Sequence, residues 1–97
     1  MIDYDIRGLL DSTLDTLVED ESLQNMNIMF DGFKPLINDY EDAALGFIVG
    51  MMLEKIRGLY LLKNESLPTT DEYFTVYRMI EQKSPYISGR LKEYYNR

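Results

Sequence analysis

Apolar residues recur at steps of three and four along most of the chain, which is the spacing of one helix face. The first such segment lies between Asp3 and Asp20. Its apolar positions are Ile6, Leu9, Leu10, Leu14, Leu17 and Val18. Asp11, Asp15 and Glu19 lie four residues apart on the opposite side. The pattern predicts an amphipathic first helix with an acidic face, which is either solvated or a docking surface for a basic partner.

A second, shorter helix is predicted after the polar stretch "EDESL" (Glu19 to Leu23), with Ser22 as its N-cap. Its apolar stripe consists of Leu23, Met26, Met29, Phe30 and Phe33. Gly32 supplies a stop signal, and Pro35 follows soon afterwards. We interpret the stripe as core, with an adaptable Met- and Phe-rich binding groove as the alternative.

The third and longest helix is predicted to begin between Pro35 and Tyr40, with Asn38 or Asp39 as its cap. It is expected to end near Lys63. The next stretch, "NESLP", has the composition of a loop.

The fourth helix has a clear start signal, because Thr69 and Glu72 stand in the relation of a capping box. Its predicted inner face consists of Tyr73, Val76, Tyr77 and Ile80, continued by Ile87, Leu91, Tyr94 and Tyr95. Proline removes a helical hydrogen bond, so the helix is expected to break or kink at Ser84-Pro85.

These patterns predict an all-α fold, a small bundle of four helices. No segment alternates with the period of two that is typical of a strand. The 97 residues suffice for one domain, residues 1–97, with a modest core that dimerisation would complete.

The third helix contains the most apolar stretch, "ALGFIVGMMLEKIRGLYLL". A membrane span needs about 20 apolar residues, whereas Glu54 and Lys55 interrupt this stretch early; we therefore expect no membrane association. Ala44 to Leu53 is apolar on all sides, and a helix of this kind is usually covered all round.

Three glycines of this helix, Gly46, Gly50 and Gly58, fall within about a third of its circumference. Each costs the helix about 1 kcal/mol relative to alanine, a cost that close approach of a neighbouring helix would offset. We predict a helix-packing or dimer seam formed by Gly46, Phe47, Gly50, Met51 and Gly58. The neighbour is either a second copy, which we favour, or another helix of the same chain.

The composition removes several kinds of chemistry. The chain contains neither cysteine nor histidine, which excludes disulfides, thiolate or imidazole metal ligands and His-dependent catalysis. Glu54 and Arg57 are most simply a local ion pair. We therefore expect no enzymatic activity, no catalytic residue, no metal and no cofactor.

Charge is unevenly distributed in this acidic protein of net charge −7. Residues 1–54 hold 12 acidic and 2 basic residues, whereas residues 55–97 hold 5 acidic and 8 basic residues. The two charged faces predict a partner surface, formed by Asp11, Asp15, Glu19, Arg78, Arg90 and Lys92. The basic residues pack against the acidic helix of their own chain or of another.

Tyrosines and basic residues are interleaved in the last third of the chain, as in some single-strand nucleic-acid binders. The acidic chain as a whole would repel a phosphate backbone, so we do not expect nucleic acid as the main partner.

The function favoured by the sequence is a non-enzymatic interaction or assembly module, a homodimer that self-associates through the Gly46 to Gly58 helix. The alternative is a regulatory or nucleoprotein-complex subunit that uses the Tyr/Arg-rich C-terminal segment. The acidic N-terminal stretch "MIDYDIRGLLDST" resembles neither a signal peptide nor a transit peptide, so a cytoplasmic location is expected.

Overall fold

The computed structural model describes residues 4–96, which fold into four helices and no strand. The helices are α1 (Tyr4–Leu17), α2 (Asp20–Asp31), α3 (Tyr40–Asn64) and α4 (Thr70–Tyr95). The predicted all-α class and the number of helices are confirmed. Asp3, the first residue of the segment predicted to contain this helix, lies outside the described residues.

Helix α3 lies at the centre of the bundle, because α1, α2 and α4 each pack against it. Its buried side chains recur every four residues and are those of Ala44, Ile48, Met52, Ile56 and Tyr60. From α1 the core receives Ile6, Leu10 and Leu14, and from α4 it receives Val76, Ile80, Ile87 and Leu91. The apolar periodicity of the sequence therefore identified most of the core.

The junction between α1 and α2 differs from its prediction. Glu19, not Ser22, occupies the N-cap position of α2, and its side chain makes no capping hydrogen bond. The Leu23 N–H already bonds the Glu19 carbonyl at 3.0 Å, which places Ser22 inside the first helical turn. The Ser22 hydroxyl instead donates to the Thr16 carbonyl at 2.8 Å and joins the two helices across the turn.

The apolar stripe of the second helix is only partly core. Leu23, Met26 and Phe30 are buried, whereas Met29 is 39% exposed and Phe33 is 54% exposed. Helix α2 ends at Asp31, and the Gly32 N–H bonds the Met29 carbonyl, as the glycine stop signal predicted. Phe33 therefore follows the helix end, where the helical periodicity that placed it in the stripe no longer applies.

Both caps predicted from the sequence for the last two helices are present. Asp39 precedes α3, and its carboxylate accepts a hydrogen bond from the Asp42 N–H at 3.0 Å. At the start of α4 the Thr69 hydroxyl accepts from the Glu72 N–H at 3.2 Å. The Glu72 carboxylate accepts from the Thr69 N–H at 2.9 Å, and this hydrogen bond holds the pKa of Glu72 below its usual value.

Replacing Thr69 with alanine is expected to lower the free energy of unfolding by about 1 kcal/mol, because the capping hydroxyl is lost. For a domain of this size that corresponds to a fall of roughly 4–8 °C in melting temperature. Thr70→Ala is the matched control, since Thr70 is exposed inside the first turn and should change stability by no more than about 0.5 kcal/mol. Equal effects of the two variants in thermal unfolding would contradict a capping role.

Helix α4 continues from Thr70 to Tyr95 with Pro85 inside it. Proline has no N–H, so the Glu81 carbonyl lacks its usual donor four residues later. The Ser84 hydroxyl donates to that carbonyl instead. The helix is thus not interrupted at Ser84-Pro85, while a bend of its axis there stays a prediction.

Candidate interaction surface

The outward side of α3 carries Gly46, Gly50 and Gly58, which we call the glycine strip. All three are exposed. A Cβ atom built on any of them would have no contact atom within 4 Å beyond the immediate helix backbone. The close helix approach that the sequence predicted is therefore not made within the described part of the chain. The space above the strip is open to a second molecule.

Phe47 and Met51, the other two residues of the predicted seam, lie on the side of α3 that faces α1 and α2. Both are half-buried. The Phe47 ring meets the Phe30 ring edge to face, with 6.5 Å between ring centroids. Met51 borders a hollow of about 390 Å³ between α1 and α3, together with Leu17 and Lys55. The predicted seam thus divides into an open strip and a partly packed edge.

A groove of about 470 Å³ runs along the other side of the glycine strip, between α3 and α4. We call it the α3–α4 groove. Its lining residues are Leu45, Val49, Leu53, Tyr77, Ile80, Glu81, Ser84 and Ile87. Leu45 is 37% exposed and Tyr77 is 43% exposed, so the groove presents apolar and aromatic surface to solvent.

The sequence did not predict this groove. Tyr77 was placed on the inner face of α4 with Val76 and Ile80, but only Val76 and Ile80 are buried. Its ring lies at the rim, edge to face with Phe74 at 6.0 Å between centroids. The one available signal was the row Leu45, Val49 and Leu53, which widens the apolar face of α3 beyond one stripe.

The acidic and basic faces predicted as a partner surface are partly paired within the chain. Lys83 lies 2.6 Å from the Asp11 carboxylate, which joins α4 to α1. Arg90 donates to the Val18 carbonyl at 2.9 Å and lies 3.6 Å from Asp20. Two basic residues of α4, Lys83 and Arg90, therefore pair with acidic residues of their own chain.

The remaining members of that predicted partner surface point to solvent. Asp15 and Glu19 are exposed on the α1 side, and Arg78 and Lys92 are exposed on α4. The structure therefore does not gather the six predicted residues into one continuous charged site. Arg97, the last basic residue of the Tyr/Arg segment, lies outside the described residues.

Aromatic hydroxyls are concentrated at the end of the bundle where α4 meets α2 and the start of α3. Tyr95 donates to the Asn27 side chain at 2.6 Å, and burial, followed by the nearby Tyr94 and Glu41, raises the pKa of Tyr95 to about 12. The Tyr40 hydroxyl donates to Asp31, and this bond lowers the pKa of the Asp31 carboxyl. The first contact ties α4 to α2 and the second ties the start of α3 to the end of α2, which are structural roles.

No arrangement suited to metal chemistry stands out among residues 4–96, where no cluster of three potential ligand side chains could hold a metal ion. Over the same part of the chain, none of the helices has the length and apolar character needed to cross a membrane. The expectation that the protein has no enzymatic activity and no cofactor stays a prediction. What the surface offers chemically is apolar contact beside an open helix backbone.

Comparisons of the chain with protein-family models, with curated proteins and with solved structures gave no match. The function is therefore inferred from the surface itself.

Proposed function

We propose that this chain is a non-enzymatic assembly module that forms a homodimer through the glycine strip of α3. The observation that carries the proposal is the open space above Gly46 and Gly50, on the outward side of a largely apolar helix. Each glycine costs α3 about 1 kcal/mol relative to alanine, and no contact within the described chain offsets that cost. A second helix lying close to the strip would offset it through backbone and side-chain contact.

A second copy is the partner we favour, because two-fold homodimers are the commonest soluble oligomers and use one self-complementary patch. Asp11 and Asp15 lie on α1 and Glu19 is the N-cap residue of α2, whereas the strip lies on α3, so the mutual repulsion of these acidic residues need not fall inside the interface. The proposal keeps the cytoplasmic location expected from the sequence.

The alternative function, a regulatory or nucleoprotein-complex subunit, has less support. Lys83 and Arg90, two basic residues of the Tyr/Arg-rich C-terminal segment, are already paired with acidic groups of the same chain. Tyr94 and Tyr95 are half-buried, so their ring faces are not fully available for stacking on bases.

The test is the mass of the protein in solution and its response to Gly50→Leu. Light scattering of the wild type at micromolar concentration should give about twice the 11.4 kDa chain mass. Gly50→Leu should give the monomer mass, because a side chain forced into a packed contact costs about 1–3 kcal/mol per chain. Two such costs per dimer weaken association by roughly one to four orders of magnitude.

Gly8→Leu is the matched control, because Gly8 is also exposed and open but lies on α1. Both substitutions should raise the intrinsic stability of their helix by somewhat under 1 kcal/mol, and only Gly50→Leu should dissociate the dimer. A wild type that stays monomeric up to roughly millimolar concentration, or a Gly50→Leu variant that dimerises as tightly as Gly8→Leu, would refute the proposal.

A further inference from the structure

We propose that the α3–α4 groove is covered by the second copy, so that α4 as well as α3 forms the dimer interface. This inference rests on the proposed homodimer and names the surface that the glycine strip alone does not define. Three observations carry it: the position of the groove, the charge around it, and the apolar side chains exposed at its rim.

The groove lies beside the glycine strip on α3. Val49 and Leu53 line the groove, and each lies three residues after an exposed glycine, Gly46 or Gly50, which makes them neighbours on the helix surface. The groove and the strip are therefore parts of one continuous surface along α3. A helix of the second copy that lies against the strip brings its own side chains to the mouth of the groove.

Two copies of this surface can lie against each other without strong charge repulsion, although the chain as a whole has a net charge of −7. On the α3 side, Glu54 is neutralised by Arg57 at 3.2 Å. On the α4 side, Glu81 lines the groove and Arg78 lies one helical turn before it, exposed. Because a two-fold contact places the same residues on both sides, balanced charges are what such a surface needs.

The rim of the groove exposes apolar and aromatic side chains, whose contact with water is unfavourable. Leu45 is 37% exposed, Tyr77 is 43% exposed and Phe74, whose ring meets that of Tyr77, is 57% exposed. Aromatic residues at the centre of an interface are common anchors of association. Their exposure in the monomer is explained if the second copy covers them.

The test uses the absence of cysteine from the chain, which lets a single introduced thiol report on one place. The thiol of a Leu45→Cys variant, at the groove, should react with a maleimide at least several-fold more slowly where light scattering gives the dimer mass than where it gives the monomer mass. Ile28→Cys is the control, because Ile28 lies on α2, outside both the strip and the groove, and is 64% exposed. Its labelling rate should be the same for the monomer and the dimer.

A second pair of variants tests whether the groove is part of the dimer interface through its effect on the affinity of dimerisation. Leu45→Glu should shift the protein to the monomer mass, and Ile28→Glu, on the exposed side of α2, should leave the dimer intact. If the wild type dimerises but the thiol at position 45 labels equally fast in both states, or Leu45→Glu dimerises like the wild type, the groove is open in the dimer and this inference is wrong while the strip proposal stands. If the wild type never dimerises, the proposed function fails, and the groove inference fails with it.

Discussion

Replacing Ile56 with alanine is expected to lower the free energy of unfolding by about 2–5 kcal/mol. Ile56 is fully buried on the face of α3 that packs into the core, so truncation removes apolar contacts and leaves a cavity. Against a total stability of typically 5–15 kcal/mol, this is a large fraction. Urea unfolding followed by circular dichroism, at fixed protein concentration, measures the change in midpoint.

Leu62→Ala is the control for this substitution, because it truncates an aliphatic side chain of the same helix that is 81% exposed. It should alter stability by no more than about 0.5 kcal/mol. A similar loss from both variants would mean that α3 is not buried on the face described here.

Replacing Arg90 with methionine is expected to cost about 1.5–3 kcal/mol, which is typical of hydrogen bonds to a charged group. The Arg90 side chain is 25% exposed and lies 2.9 Å from Glu93 as well as close to Asp20. It also donates to the Val18 carbonyl just beyond the end of α1, where a positive charge is favoured by the helix dipole. Methionine keeps the unbranched stem, so the loss reports mainly on the guanidinium.

Lys92→Met is the matched control, since Lys92 is an exposed cation two residues further along α4. Thermal unfolding of the two variants side by side should show a clear fall in melting temperature for Arg90→Met alone. Because Arg90 is partly buried, added salt should reduce its contribution less than that of an exposed ion pair. If the Arg90 effect disappears in moderate salt, the contact to Val18 contributes little.

The features that were predicted correctly are those that depend on neighbours along the chain. The caps at Asp39 and Thr69 involve residues three positions apart, and the buried residues of α1 and α4 follow from helical spacing. The N-cap of α2 was predicted at the wrong residue, because the Ser22 hydroxyl bonds the Thr16 carbonyl, six residues back, and caps no N–H of its own helix. Capping propensity does not encode that choice of partner.

The features that were missed or left open depend on how helices lie against one another. Tyr77 continues the apolar pattern of α4, yet the spacing between α3 and α4 leaves it at the rim of a groove. The sequence allowed Lys83 to pair within its own chain or with a partner, and only the fold brings it to Asp11, 72 positions earlier. For the same reason, periodicity could identify the apolar breadth of α3 but not the side on which α3 is uncovered.

The central position of α3 has a consequence for how the protein opens transiently. Helices α1, α2 and α4 each pack against α3 more extensively than α1 packs against α2, so α3 cannot lose its structure without releasing all three. Amide protons near Met52 and Ile56 are then shielded until the whole domain unfolds, whereas a peripheral helix can detach in a smaller opening. The amides of α3 should therefore be the slowest in the chain to exchange with deuterated solvent, and the helix that presents the open strip is also the last to give up its hydrogen bonds.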